Sequence, residues 1–334
     1  MSVGEPAISQ APMANPPLPH HGHSPNEDDQ SGAGAPALAT ERIAIGRPGP
    51  IFEARPPDPT HRLVPFRPDT TLDGWSNKHL AVRGASIRGE QHRFDGSPRQ
   101  DDFALLLRKD GKQLIVAVAD GVSAAPQSHL GSSIVVRYAV QWLDAKLSEE
   151  TQEPNWQDLV ESAAWALAEQ AVILFGVEST ASEVEQLVAT TLVCAVIDSS
   201  EDGSARAQIV SVGDSGAWVL SRGKYTQVAG GKCGSDDGLT NSGVSGLPRI
   251  PEDIRATGVE IEPGGILLIG TDGFGDPLGD GGGDVGRMFS ALLEPHPPAI
   301  VDFARAVDFS RETFDDDRTL VAVWPLDSRA VAGL

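Results

Sequence analysis

Leu114-Ile115-Val116-Ala117-Val118-Ala119-Asp120-Gly121 is the stretch on which the reading of this chain turns. Six apolar residues form a strand-like run that ends on an acid and a turn. The same pattern returns twice. Ile266-Leu267-Leu268-Ile269-Gly270-Thr271 runs into Asp272-Gly273, and Ala207-Gln208-Ile209-Val210-Ser211-Val212 runs into Gly213-Asp214-Ser215. Strands deliver side chains to a fixed place. Several carboxylates gathered at strand ends repel one another unless a cation neutralises them. An oxygen-only donor set favours a hard cation, Mg²⁺ or Mn²⁺.

Outward from these runs, three further motifs fall at strand boundaries. Arg99-Gln100-Asp101-Asp102 precedes Phe103-Ala104-Leu105-Leu106-Leu107, Ala189-Thr190-Thr191 opens a strand, and Asp315-Asp316-Asp317-Arg318-Thr319 leads into Leu320-Val321-Ala322-Val323-Trp324. Lys109-Asp110-Gly111 supplies a tight turn between two strands, which makes Asp110 structural. Helical spacing of Ile134, Val135, Tyr138, Ala139 and Trp142 predicts a helix over 128–148, and Trp156, Leu159, Ala163, Leu167 and Val172 predict another over 155–175. Strands are expected at 80–88, 189–197, 206–213, 216–221, 225–228, 265–271 and 319–324, with helices near 284–293 and 298–310. That order does not alternate as βαβ units do, so it favours antiparallel sheets with helices packed outside.

Residues 1–74 hold 14 of the 25 prolines and few aromatics. They read as a disordered Pro-rich tail, unable to bury enough apolar area to offset the entropy of ordering. A domain is expected over 75–334, with an irregular Gly-, Ser- and Asp-rich excursion at about 229–257. The formal net charge of −21 argues against nucleic acid, whose phosphates call for Lys and Arg. Two cysteines make no disulfide framework and fit a reducing cytoplasm. No apolar run reaches the roughly 18 residues of a membrane span, and the N-terminus lacks a secretory pattern.

Taken in order, the six motifs resemble those of the metal-dependent PP2C-type (PPM) Ser/Thr protein phosphatases, bacterial subgroup. Arg99-Gln100-Asp101, Asp120-Gly121, Ala189-Thr190-Thr191, Gly213-Asp214-Ser215, Thr271-Asp272-Gly273-Phe274-Gly275-Asp276 and Asp316-Asp317-Arg318-Thr319 match over about residues 80–326. The resemblance implies an α+β fold, a four-layer α-β-β-α sandwich with two central, mainly antiparallel sheets. It implies hydrolysis of phospho-Ser/Thr in a phosphorylated protein by a water bridging two Mg²⁺ or Mn²⁺ ions, opposing a Ser/Thr kinase. Asp120 would bridge the ions, the Gly121 carbonyl would bind one, and Asp272 and Asp316 would complete the other. Asp101 would orient waters. Asp214, Asp272 and Asp276 match a third, weaker ion site. The 229–257 excursion would be the family's flap.

Departures from the family pattern are equally legible. Asp120-Gly121 continues as Val122-Ser123-Ala124 without the usual glycine pair, Val122 stands where some relatives place a histidine, and Gly216 stands where an arginine is usual. The phosphate-binding arginine has no single match: Arg88, Arg93 and Arg99 compete, with His92 nearby. These departures support the alternative, a catalytically weak or inactive PP2C-fold binding protein. The complete carboxylate set supports the enzyme.

Overall fold

A computed structural model describes residues 42–49, 67–149, 153–178, 180–230 and 246–328, all within one compact unit. In chain order the elements are β1 (Thr70–Ser76), β2 (Leu80–Ile87), α1 (Glu90–Asp95), β3 (Asp102–Leu107), β4 (Gln113–Ala119), α2 (Ser128–Glu149), α3 (Trp156–Phe175) and α4 (Ala181–Val188). They continue with β5 (Leu192–Ser199), β6 (Ala205–Val212), β7 (Gly216–Ser221), β8 (Lys224–Gly230), β9 (Thr257–Ile261), β10 (Ile266–Gly270), α5 (Asp272–Leu278), α6 (Asp284–Leu293), α7 (Ile300–Val307) and β11 (Arg318–Pro325).

Two antiparallel sheets result. One has six strands in the order β1-β2-β11-β10-β7-β8, the other five in the order β3-β4-β5-β6-β9. The alternation of side chains along each strand explains the layering. On β4, Leu114, Val116 and Val118 enter the core between the sheets, while Ile115, Ala117 and Ala119 face α2, α3 and α4. On β10 and β11, Leu267, Ile269, Val321 and Val323 enter the same inter-sheet core. Ile266, Leu268, Leu320, Ala322 and Trp324 face the opposite way, onto α5, α6 and α7. Strands sandwiched in this way are apolar on both faces, which is why they read as continuous hydrophobic runs. The expected four-layer α-β-β-α sandwich is the observed architecture.

Described residues upstream of Trp75 belong to the same compact unit. β1 pairs along its whole length with β2, and Ile45 is buried against the six-stranded sheet's helices. Residues 42–49 run beside 308–312, with Ile45 N–H donating to the Ser310 carbonyl at 3.0 Å and Ser310 N–H to that of Ile43 at 2.8 Å. Buried Arg67 pairs with Asp102 at 3.1 Å and donates to the Asp101 carbonyl at 2.7 Å. A mean composition rich in proline hid these anchors, because each is a single residue rather than a periodic run. The rest of the expected tail, 1–41 and 50–66, lies outside the described residues, as do 231–245 of the expected flap.

Candidate metal centre

Each candidate carboxylate comes from a strand end or the turn just beyond it. Asp120 follows β4 and is framed by hydroxyls. Its N–H donates to Thr191 Oγ1 at 2.9 Å, and its carbonyl accepts from Thr190 Oγ1 at 2.8 Å and from the Thr191 N–H at 2.7 Å. Thr191 Oγ1 in turn meets Ser215 Oγ at 2.8 Å, which ties the Gly213-Asp214-Ser215 turn to the same frame. Thr190, Thr191 and Ser215 are all fully buried. The Ala189-Thr190-Thr191 motif thus sits just before β5 and holds the Asp120 backbone in place.

Asp272 is the first residue of α5, directly beyond β10. The preceding Thr271 is buried, and its Oγ1 donates to Asp101 Oδ2 at 2.8 Å while accepting the Thr319 N–H at 3.1 Å. Gly273 allows the turn to lie against β11: a Cβ there would fall 1.9 Å from the Asp317 carbonyl oxygen. Asp101 is almost wholly buried, and its Oδ1 has no hydrogen-bond partner in the protein. Asp316 lies in the turn before β11 with its side chain half exposed, and its Oδ1 accepts the Asp317 N–H at 2.8 Å.

Burial and mutual charge raise the proton affinities of Asp101, Asp120 and Asp316. Burial pushes Asp101 well above the usual carboxylate range, with Asp317 and Asp316 adding to it. Burial does the same to Asp120, followed by the charges of Asp101, Asp272 and Asp316 and by a hydrogen bond between the Asp120 and Asp272 carboxyl groups. Asp316 is raised to about 6 by burial and then by Asp317, against the opposing charge of His92. A buried carboxylate oxygen with no partner, among acids that repel each other, is the environment a divalent cation relieves. The donors are all oxygens, so the fit is to Mg²⁺ or Mn²⁺. Asp101, Asp120, Asp272 and Asp316 are therefore brought together, with the Gly121 carbonyl next to Asp120 in the chain.

Asp214 sits half-buried in the turn between β6 and β7, and Asp276 is exposed one helical turn beyond Asp272 on α5. The arginines are occupied by the protein. Arg88 is buried and donates to Asp69 Oδ1 at 3.1 Å and to the His92 carbonyl at 2.8 Å. Arg93 reaches Asp308 at 3.3 Å. Arg99, also buried, donates to the Asp101 carbonyl at 2.5 Å and Thr71 Oγ1 at 2.7 Å, as well as to Ser86 Oγ.

Two residues were undervalued by sequence reasoning. Asp317 is buried, and its pKa is lowered because the charge of His92 and the hydrogen bonds it accepts outweigh burial. His92 is raised to about 9, since Asp317 and its neighbours outweigh the cost of burial. Its Nδ1 lies 2.9 Å from Asp317 Oδ1 and 4.0 Å from Asp316 Oδ1. His92, Asp316 and Asp317 are also the one trio among the described residues whose ligand-capable atoms all lie within 4.8 Å. The signal in the sequence was a lone histidine ahead of Asp101, in a stretch too short to register as a helix.

The model of the protein phosphatase 2C family matches residues 88–305, and the chain belongs to that family. Among solved structures it is similar to an S. agalactiae serine/threonine phosphatase, at 15% identity and a TM-score of 0.51, covering 74% of this chain and 100% of that one. A bacterial serine phosphatase carrying a point mutation matches at 18% identity and a TM-score of 0.50, over 75% and 100% of the two chains. RsbX in complex with magnesium matches at 14% and 0.50, over 76% and 100%. At these identities the likeness is one of fold. No curated protein matches the chain in sequence. No helix among the described residues is long and apolar enough to cross a membrane.

Proposed function

We propose that this chain is a metal-dependent phosphoprotein phosphatase acting on phospho-Ser/Thr, working in the cytoplasm against a Ser/Thr kinase. The observation that carries the reading is the convergence of Asp101, Asp120, Asp272 and Asp316, with Asp101 Oδ1 buried and partnerless. In the reaction a water oxygen adds to phosphorus, the bond from phosphorus to the Ser or Thr oxygen breaks, and that oxygen leaves with a proton. No phosphoenzyme forms. Two Mg²⁺ or Mn²⁺ ions, when bound, supply Lewis acidity toward the phosphate and the water.

The protein's own part is positioning. Asp120 and the Gly121 carbonyl would hold one ion and Asp272 and Asp316 the other, while Asp101, fixed by Thr271, would orient water through its free oxygen. Asp214, Asp272 and Asp276 would hold a third, weaker ion. Val122 offers no proton to the leaving oxygen, so a water must.

The second reading, a fold-preserving binder with little activity, is favoured by one observation: Arg88, Arg93 and Arg99 are all engaged within the protein. Hydrolysis of p-nitrophenyl phosphate and of a phosphothreonine peptide, with and without Mn²⁺, separates the two. The enzyme turns over both with Mn²⁺ and neither after chelation. The binder turns over neither.

A further inference from the structure

The short helix α1 is wedged against the turn that carries Asp316. Gln91 N–H donates to the Asp315 carbonyl at 2.9 Å. Gly89 N–H donates to Asp317 Oδ1 at 2.6 Å, and the Gln100 N–H donates to Asp317 Oδ2. His92 Nδ1 lies 2.9 Å from the same Oδ1. The approach is so close that a Cβ on Gly89 would fall 2.2 Å from the Asp316 carbonyl carbon. On its other side α1 is held through Glu90, which accepts from Ser310 Oγ at 2.9 Å and pairs with Arg42.

Both oxygens of Asp317 are therefore fixed, by groups from three positions on another part of the chain. The Asp317 peptide N–H is what orients Asp316, through its bond to Asp316 Oδ1. A buried ion pair is a costly way to hold a turn, and an apolar pair of similar volume would stabilise the fold as well. What the ion pair adds here is a fixed direction for the neighbouring carboxylate. It also sets the His92 ring 4.0 Å from Asp316, among acids that repel one another.

We propose that His92 and Asp317 are positioning residues: a clamp between α1 and the 315–317 turn that sets the Asp316 carboxylate for metal binding. The proposal rests on the phosphatase reading for the role of Asp316. Outer partners of metal ligands commonly govern affinity by about 10–100-fold, and the clamp belongs to that class.

The test uses the full chain as wild type, His92→Gln, Asp317→Asn, the double variant and a Gln91→Ala control. Gln91 has an exposed side chain directed to Asp95. Mn²⁺ affinity is measured by titration calorimetry at a temperature where every variant is folded by circular dichroism, and kcat is measured at saturating Mn²⁺. The expected result is a Kd for Mn²⁺ weakened about 10–100-fold in each single variant. The double variant should be no worse than the weaker single, because the pair acts as one unit. Most of kcat should return at saturating Mn²⁺, and Gln91→Ala should match wild type.

Unchanged Mn²⁺ affinity with a lowered Tm would overturn the proposal and leave only fold support. Unchanged affinity with a kcat that saturating Mn²⁺ does not restore would also overturn it, by pointing to contact between His92 and substrate. Additive losses in the double variant would refute a single clamp. If Asp317→Asn does not fold, His92→Gln alone carries the measurement. A wild type that neither binds Mn²⁺ nor hydrolyses phosphate sinks the phosphatase reading and this proposal together. An active wild type with equally tight variants sinks only the clamp.

Discussion

Asp120 is framed by neutral hydroxyls, whereas the 315–317 turn on the other side of the centre is gripped by charge. The first frame is Thr190 and Thr191 on the Asp120 backbone, with Ser215 bonded in turn to Thr191, all by ordinary hydrogen bonds. The second is Asp317 with His92, braced by Arg67 on Asp102 nearby. A neutral frame is indifferent to pH and each bond is worth about 1 kcal/mol. A buried pair is different: removing one partner strands the other and costs about 3–5 kcal/mol. The centre is thus anchored softly on one side and stiffly on the other.

The strongest way to break the comparison is to remove a carboxylate from either side. Asp120→Asn and Asp272→Asn should each lower Mn²⁺-dependent turnover by at least about 100-fold, since even outer partners of a ligand reach that figure. Fold should persist, because the metal-free protein loses like-charge repulsion. If only one of the two variants loses activity, the centre does not span both sides.

Deleting residues 1–74 removes the brace on the charged side. It leaves Asp102 without Arg67 and exposes the pocket filled by Ile45. A loss of at least about 3 kcal/mol is expected, read from the denaturant midpoint. A deletion that leaves the midpoint unchanged would show that residues 42–49 and Arg67 contribute nothing. Thr191→Val on the neutral side should cost only about 1 kcal/mol. A loss as large as that of the deletion would erase the contrast.

Acidity offers a finer test. A carboxyl raised in the folded state contributes stability below its unfolded value of 3.8, and that contribution is lost as pH rises through about 6 for Asp316. Asp101 and Asp120 act in the same direction. The metal must displace these protons, so the rise in Tm on adding Mn²⁺ should be small at pH 5 and larger at pH 7.5. Equal increments at both values would mean that the metal does not meet these acids. The smallest effect expected is that of Asp214→Ala, a severalfold loss on a phosphopeptide and less on p-nitrophenyl phosphate, whose leaving group needs little protonation.

Much of this was legible because the sandwich places strands between two layers. β4, β5, β10 and β11 are apolar on both faces, and the acids that follow β4 and β10 and precede β11 stand out against them. What escaped was whatever lacked a run. β1 and β9 are edge strands with mostly exposed residues. α1 has six residues, and α5 reads Asp272-Gly273-Phe274-Gly275-Asp276-Pro277-Leu278, a composition that signals turns. α5 tolerates it because Pro277 lies in its last turn and Gly273 must pack on Asp317. Of the site, Asp101, Asp120, Asp272 and Asp316 could be singled out from local motifs. The clamp could not, since His92 and Asp317 are far apart in the chain and meet only through the fold.

The most direct measurement of the central claim is Mn²⁺-dependent release of phosphate from a phosphothreonine peptide by the wild type beside Asp272→Asn. The account predicts turnover by the wild type that chelation abolishes and Mn²⁺ restores, with at least about 100-fold less from the variant at any Mn²⁺ concentration. Turnover that survives chelation, or a variant as active as the wild type, would contradict it.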